Sequence, residues 1–200
     1  MAYVHSDRPE SAPAPIPVKL VVAGGFGVGK TTLVGAISEI EPLTTEAAMT
    51  NRSIGVDDRS KVAQKTTTTV AMDFGRITIE RSLILYLFGT PGQDRFGFMW
   101  DDIALGALGA VVLVDTRRLD AAFPAIDYFE RLGMPFVVAC NRFDGRRAHP
   151  LDAVRAALDV DATVPVVECD ARERESVKTV VLTLLDVVLQ RAMARAGTTR

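Results

Sequence analysis

The chain has 200 residues, 48% of them apolar and 24% charged, with a formal net charge of −2. That length suits one domain with a real core, and the mix is that of a soluble globular chain. The charge excludes the basic excess of a dedicated nucleic-acid binder, and 2 cysteines are too few for a disulfide scaffold.

Residues 1–17 carry Pro9, Pro13, Pro15 and Pro17 among alanine, serine and charges. Such a composition buries little and predicts a flexible tail ahead of a domain over 18–196. No continuous apolar stretch marks the tail as a signal peptide, and neither terminus fits a lipidation pattern. Val18 to Ala23 is an apolar run of strand length. It leads into Gly24-Gly25-Phe26-Gly27-Val28-Gly29-Lys30-Thr31-Thr32, and an amphipathic helix is expected over about 30–40. Gly24, Gly29, Lys30 and Thr31 satisfy G-x-x-x-x-G-K-[ST] with a strand before and a helix after. The chemistry is anion binding. Glycines let N–H groups turn around phosphate oxygens, and the helix start adds partial positive charge. Gly25, Gly27, Val28, Gly29, Lys30, Thr31 and Thr32 are the candidate phosphate-binding residues; Lys30 supplies a point charge, and the Thr31 hydroxyl can ligate magnesium.

Pro42 stops the first helix, and Glu41 to Thr68 has no steady period, so a long loop is expected there. Val70 to Glu80 is strand-like, Arg81-Ser82 a tight turn, and Leu83 to Phe88 a second strand, together an antiparallel hairpin. A second glycine-bearing loop runs from Gly89 to Phe98. Helices are then predicted over 100–105, 119–132 (started or kinked near Pro124), 150–158 and 173–194, and strands over 109–114, 136–140 and 164–168. The last helix carries Val177, Val180, Val181, Leu184, Leu185 and Val188 on one stripe. The alternation predicts an α/β three-layer sandwich, a six-stranded mostly parallel sheet with one antiparallel edge strand. Lys178 and Asp186 interrupt the most apolar stretch, so no direct membrane insertion is expected. Cys140 and Cys169 follow apolar runs and read as buried, reduced thiols of a cytoplasmic protein.

Two of these strands deliver polar sequences at their carboxyl ends, where open α/β sheets bind ligands: Asn141-Arg142-Phe143-Asp144 and Cys169-Asp170-Ala171-Arg172. A carboxylate such as Asp144 accepts two hydrogen bonds from the N1–H and 2-amino edge of guanine, a pair that adenine lacks. In isolation Asn141 and Asp144 read equally well as a capped turn. Downstream of a phosphate loop, they read as base recognition.

With these motifs the chain resembles a Ras-like small GTPase. Gly24–Thr31 resembles the phosphate loop, Asn141–Asp144 the N-K-x-D motif, and Cys169–Arg172 the S-A-K motif. Residues 69–74, Thr-Val-Ala-Met-Asp-Phe, resemble switch I, and Gly89-Thr90-Pro91-Gly92-Gln93-Asp94 resembles switch II. The form is closer still to bacterial members, the gliding-motility MglA GTPases and, most of all, the GTPases of actinobacterial conservons. The resemblance implies a P-loop NTPase G domain that binds GTP/GDP with Mg2+ and hydrolyses GTP slowly without a partner. By the same resemblance Gln93 orients the attacking water, Gly92 reads the γ-phosphate, Thr69 closes over it and reaches magnesium, and Asp170, Ala171 and Arg172 border the base. Arg142 stands where the family has lysine, and its alkyl stem can still pack along the base. Gly89 stands where the family has its magnesium-supporting aspartate and offers no carboxylate. Asp73 is the candidate substitute, four residues beyond Thr69 on the same strand face; its alternative is a solvated edge-strand residue.

Three readings stay open from the residues alone: a GTP-hydrolysing molecular switch, a GTP/GDP-binding scaffold with little hydrolysis, and an ATP-using phosphotransferase. Arg52, Arg59 and Arg95 are candidates to assist hydrolysis, each also readable as a solvated loop arginine. The resemblance further implies a roadblock-type regulator and a membrane sensor resembling a histidine kinase as partners. These would recruit a cytoplasmic protein to the inner face of the membrane.

Overall fold

The computed structural model describes residues 14–49, 68–79, 82–92, 97, 99–143 and 149–197. Strands β1 (Ile16–Ala23), β2 (Leu43–Met49), β3 (Thr68–Ile79), β4 (Leu83–Gly89), β5 (Gly109–Val114), β6 (Phe136–Asn141) and β7 (Val166–Cys169) form one 7-stranded sheet in the order β2-β3-β4-β1-β5-β6-β7. From β4 to β7 all pairings are parallel. β3 runs antiparallel to both neighbours, β2 and β4. The α/β sandwich with its early hairpin is as the sequence pattern predicts. The addition is β2, which lies inside the stretch expected to be a loop and takes the edge position beyond the antiparallel strand.

β5 is apolar and buried at every position, and β1 and β6 are mostly so, because both faces of the sheet are covered. Leu20, Val22, Val111, Leu113, Val137 and Ala139 point to one core, closed by α1 (Lys30–Ile37) and α5 (Arg174–Gly197). The alternate residues Val21, Ala23, Ala110, Val112, Val114 and Val138 point to the other. That face is closed by α2 (Trp100–Ala104), α3 (Phe123–Arg131) and α4 (Leu151–Leu158). Of the predicted α5 stripe, Val177, Val180, Val181 and Leu184 are fully in the core, with Leu185 and Val188 packed at its margin.

The ends of two helices have local causes, and the start of α3 near Pro124 is as expected. α1 ends at Ile37 because Ser38 leaves the helix at ψ 142, and its Oγ accepts the Ile40 and Arg76 N–H groups. α3 starts after a 3-10 turn, Leu119–Ala122, with Pro124 in the first turn, where a missing N–H costs nothing. β1 begins at Ile16, two places inside the predicted tail; the tail up to residue 13 lies outside the described residues.

Cys140 and Cys169 are buried and free, as expected. Burial pushes their thiols up to about 11 and about 12, so neither is a nucleophile at neutral pH. Their strands are neighbours, but the register sets Cys169 opposite Asn141, and the two thiols lie in opposite cores. Among the described residues no helix is long and apolar enough to cross a membrane.

Candidate functional site

The carboxyl ends of β1, β5, β6 and β7 open onto one rim of the sheet, and candidate residues among those described gather there. After β1 the chain turns through Gly24, Gly27 and Gly29, all at positive φ. Two of these turns tolerate nothing but glycine. A Cβ on Gly24 would run into the Leu113 carbonyl, and one on Gly29 would sit 2.8 Å from Asn141 Nδ2. α1 then begins at Lys30, with the Leu33 N–H donating to the Gly29 carbonyl at 2.8 Å.

Lys30 is buried beneath this loop, its Nζ donating to the carbonyls of Gly24 and Gly25 at 2.8 and 2.9 Å. Desolvation lowers its pKa to about 8, the nearby Asp73 carboxylate acting in the opposite direction. Gly92 packs against the same group. A Cβ there would lie 2.6 Å from Lys30 Nζ and 2.9 Å from Phe26 Cα, so the second glycine loop rests directly on the phosphate loop. Gln93 lies outside the described residues, as do Arg52, Arg59 and Arg95. Thr69 is placed in β3, opposite Ala48.

Asp73 is not the solvated edge-strand residue of the alternative reading. It is 6% exposed, and its Oδ2 accepts the Thr31 hydroxyl at 2.6 Å. Phe74 pairs with Phe88, so Asp73 sits beside Gly89, and a Cβ on Gly89 would come within 3.1 Å of Asp73 Cβ. A carboxylate from the adjacent strand thus lies beside the space that Gly89 leaves. Asp73 Oδ1 is buried without a hydrogen-bond partner. An orphaned carboxylate oxygen next to a threonine hydroxyl is a donor set that fits a magnesium ion, which keeps several waters and needs few protein ligands.

Asn141 joins the loops. It is 9% exposed, its Nδ2 donates to the Val28 carbonyl at 2.9 Å, and its Oδ1 accepts the Ala171 N–H at 3.0 Å. One side chain therefore ties the phosphate loop to both loops predicted to read the base. The Arg142 N–H donates to the Cys169 carbonyl at 2.7 Å, and its Nε is buried without a partner. Asp170 is committed within its own loop, bonded to Arg172 Nε and Nη2 at 3.0 and 2.9 Å. That guanidinium holds the carboxyl down at about 2. Asp170 and Arg172 brace the loop as a pair, while Ala171 supplies its buried backbone. Asp144 lies outside the described residues.

The residue class that the motif reading missed follows β5: Asp115, 4% exposed, with Arg117 and Arg118 bound to it. The only sequence signal is an acidic residue immediately after an all-apolar strand.

Over residues 22–191 the chain matches the family described as conserved hypothetical ATP binding protein. It is also 37% identical over 101 residues to an uncharacterised protein of Methanocaldococcus jannaschii, covering 50% of this chain and 53% of that one. Translation initiation factor IF-2 of Clostridioides difficile is 26% identical over 93% of the chain. Translation initiation factor IF-2 of Carboxydothermus hydrogenoformans is 28% identical over 80% of it. The chain spans about half the length of the first relative and only 26% and 17% of the two initiation factors.

Proposed function

The chain belongs to the family of conserved hypothetical ATP binding proteins and is a P-loop nucleotide-binding protein; on that footing we propose that its ligand is a guanine nucleotide and that it is a molecular switch hydrolysing GTP to GDP. The observation that carries this reading is the bridge at Asn141, which brings the phosphate loop and the two base-side loops into one site. Lys30 and the loop amides bind the phosphates, and Asp144 accepts the guanine edge. Thr31 and Asp73 would hold a magnesium ion, whose charge would neutralise the phosphate oxygens. Gln93 orients the attacking water and the Gly92 N–H meets the γ-phosphate. Loss of that phosphate frees Gly92 and Thr69, an order–disorder switch.

The signalling context comes from the motif resemblance: a regulatory system of the conservon type, with a roadblock-type regulator and a sensor resembling a histidine kinase. The second reading, an ATP-binding protein, is favoured by the family's own description. Competition of GTP and ATP for the purified protein decides between them. GTP is expected to win by at least tenfold, and a tighter ATP complex would end the guanine assignment. Single-turnover phosphate release by the wild type and Gln93→Leu then separates a switch from a scaffold. The wild type is expected to hydrolyse slowly and the variant more slowly still.

Lys30 gives the site a pH signature. The unfolded lysine keeps its proton to 10.5 while the buried one releases it at about 8, so folding stability rises with pH between those values. Nucleotide affinity runs the other way, because phosphates favour the charged amine. Binding is expected to take up a proton above about pH 8, with affinity falling as pH rises past that value. Calorimetry in buffers of different ionisation heat measures the uptake; identical heats would contradict it.

A further inference from the structure

We propose that Asp115, with Arg117 and Arg118, forms a positioning hub that sets phosphate grip through one arginine and base discrimination through the other. The inference rests on the guanine-nucleotide reading above. β5 ends at Val114, and the next residue buries its carboxylate at the rim of the site. Its Oδ1 accepts the Arg117 N–H and Nε–H, each at 2.9 Å, and its Oδ2 accepts Arg117 Nη2 at 2.8 Å. Arg118 Nε lies 3.8 Å from the same Oδ2. A buried carboxylate is costly unless paired, so it holds both guanidinium groups where exposed ion pairs alone would not.

The two arginines then part. Arg118 Nη2 donates to the Phe26 carbonyl at 2.9 Å, at the outer turn of the phosphate loop. A Cβ on Gly27 would lie 3.8 Å from that nitrogen, so the guanidinium covers the loop from outside. The Arg117 guanidinium carbon lies over the Phe143 ring, 4.0 Å from its centre, and Phe143 directly precedes Asp144. One carboxylate thereby fixes the loop that holds phosphates and the residue beside the one that reads the base.

Dissociation constants for GDP, GMP and IDP test the division of labour. The GMP/GDP ratio reads the grip on the second phosphate. The IDP/GDP ratio reads the 2-amino group, which inosine lacks. Arg118→Ala is expected to weaken GDP binding about tenfold, the scale of one charge-assisted hydrogen bond, and to compress the GMP/GDP ratio while the IDP/GDP ratio holds. Arg118→Lys, which keeps a cation within reach of the carbonyl, is expected to recover part of that loss. Arg117→Ala is expected to shrink the IDP/GDP ratio about threefold to fivefold, the scale of an exposed cation–π contact, with the GMP/GDP ratio unchanged. Asp115→Asn should move both ratios. Because both arginines are more than half exposed, their variants are expected to fold, which thermal unfolding checks. Two folded arginine variants that shift both ratios alike, or neither, would overturn the hub. A wild type that binds ADP as tightly as GDP would end the guanine reading instead. The phosphate arm would then be read from AMP and ADP, and an Arg118→Ala variant that left that ratio unmoved would still sink it.

Discussion

Methionine in place of Lys30 is expected to lower GTP and GDP affinity by about 100-fold or more while moving the thermal midpoint by only a few degrees. The affinity loss follows from position: Nζ lies under the phosphate loop, and a buried charge-assisted contact to phosphate costs about 2–5 kcal/mol when one partner is removed. The small change in stability follows from two opposing terms. The charged amine is held against desolvation, which methionine relieves, but the carbonyls of Gly24 and Gly25 lose their donor. The proton uptake above about pH 8 should vanish in the same variant. Titration of a fluorescent guanine nucleotide, with thermal unfolding of the same samples, checks the split. An affinity within threefold of wild type would remove Lys30 from the binding machinery.

Asp73→Asn carries the second large effect. The amide is nearly isosteric and still accepts the Thr31 hydroxyl, so the fold should persist; what goes is the negative charge beside Thr31. Wild-type GTP is expected to dissociate at least tenfold faster when EDTA is added, and the Asp73→Asn complex to dissociate at one rate with or without it. Geometry supplies a sharper control. Gly89→Asp alone crowds a second carboxylate against the first, since its Cβ would stand 3.1 Å from Asp73 Cβ and 3.2 Å from Oδ2. Paired with Asp73→Gly, the same substitution has room, and the double exchange is expected to restore part of the EDTA sensitivity. Unchanged EDTA sensitivity in Asp73→Asn would show that the metal, if bound, is supported elsewhere.

Asp73 also shows how far the sequence could be read. The resemblance marks the carboxylate missing at Gly89, and strand pairing with alternation then singles out position 73, because β3 is regular from Thr68 to Ile79. The phosphate loop was legible for a similar reason: glycines at fixed spacing are demanded by local backbone, and Gly24 and Gly29 meet the Leu113 carbonyl and Asn141 as that demand implies. What was not legible depended on partners far away in sequence. Leu43–Met49 carries no clean alternation and becomes a strand by pairing with β3. Asp115, Arg117 and Arg118 look like an ordinary polar turn until the fold brings Phe26 and Phe143 to them. Burial of Cys140 and Cys169 was legible from their apolar runs, but that their strands are neighbours and the thiols face opposite cores needed the register of β6 against β7.

Asn141 has one more consequence. Both ends of its amide finish on main chain, Val28 on one side and Ala171 on the other, so the distance between those loops is gauged by the protein itself. On the proposed function, the site works as a ruler. A ligand with the right base and the right phosphates, joined by a spacer longer or shorter than ribose, would meet one end and miss the other.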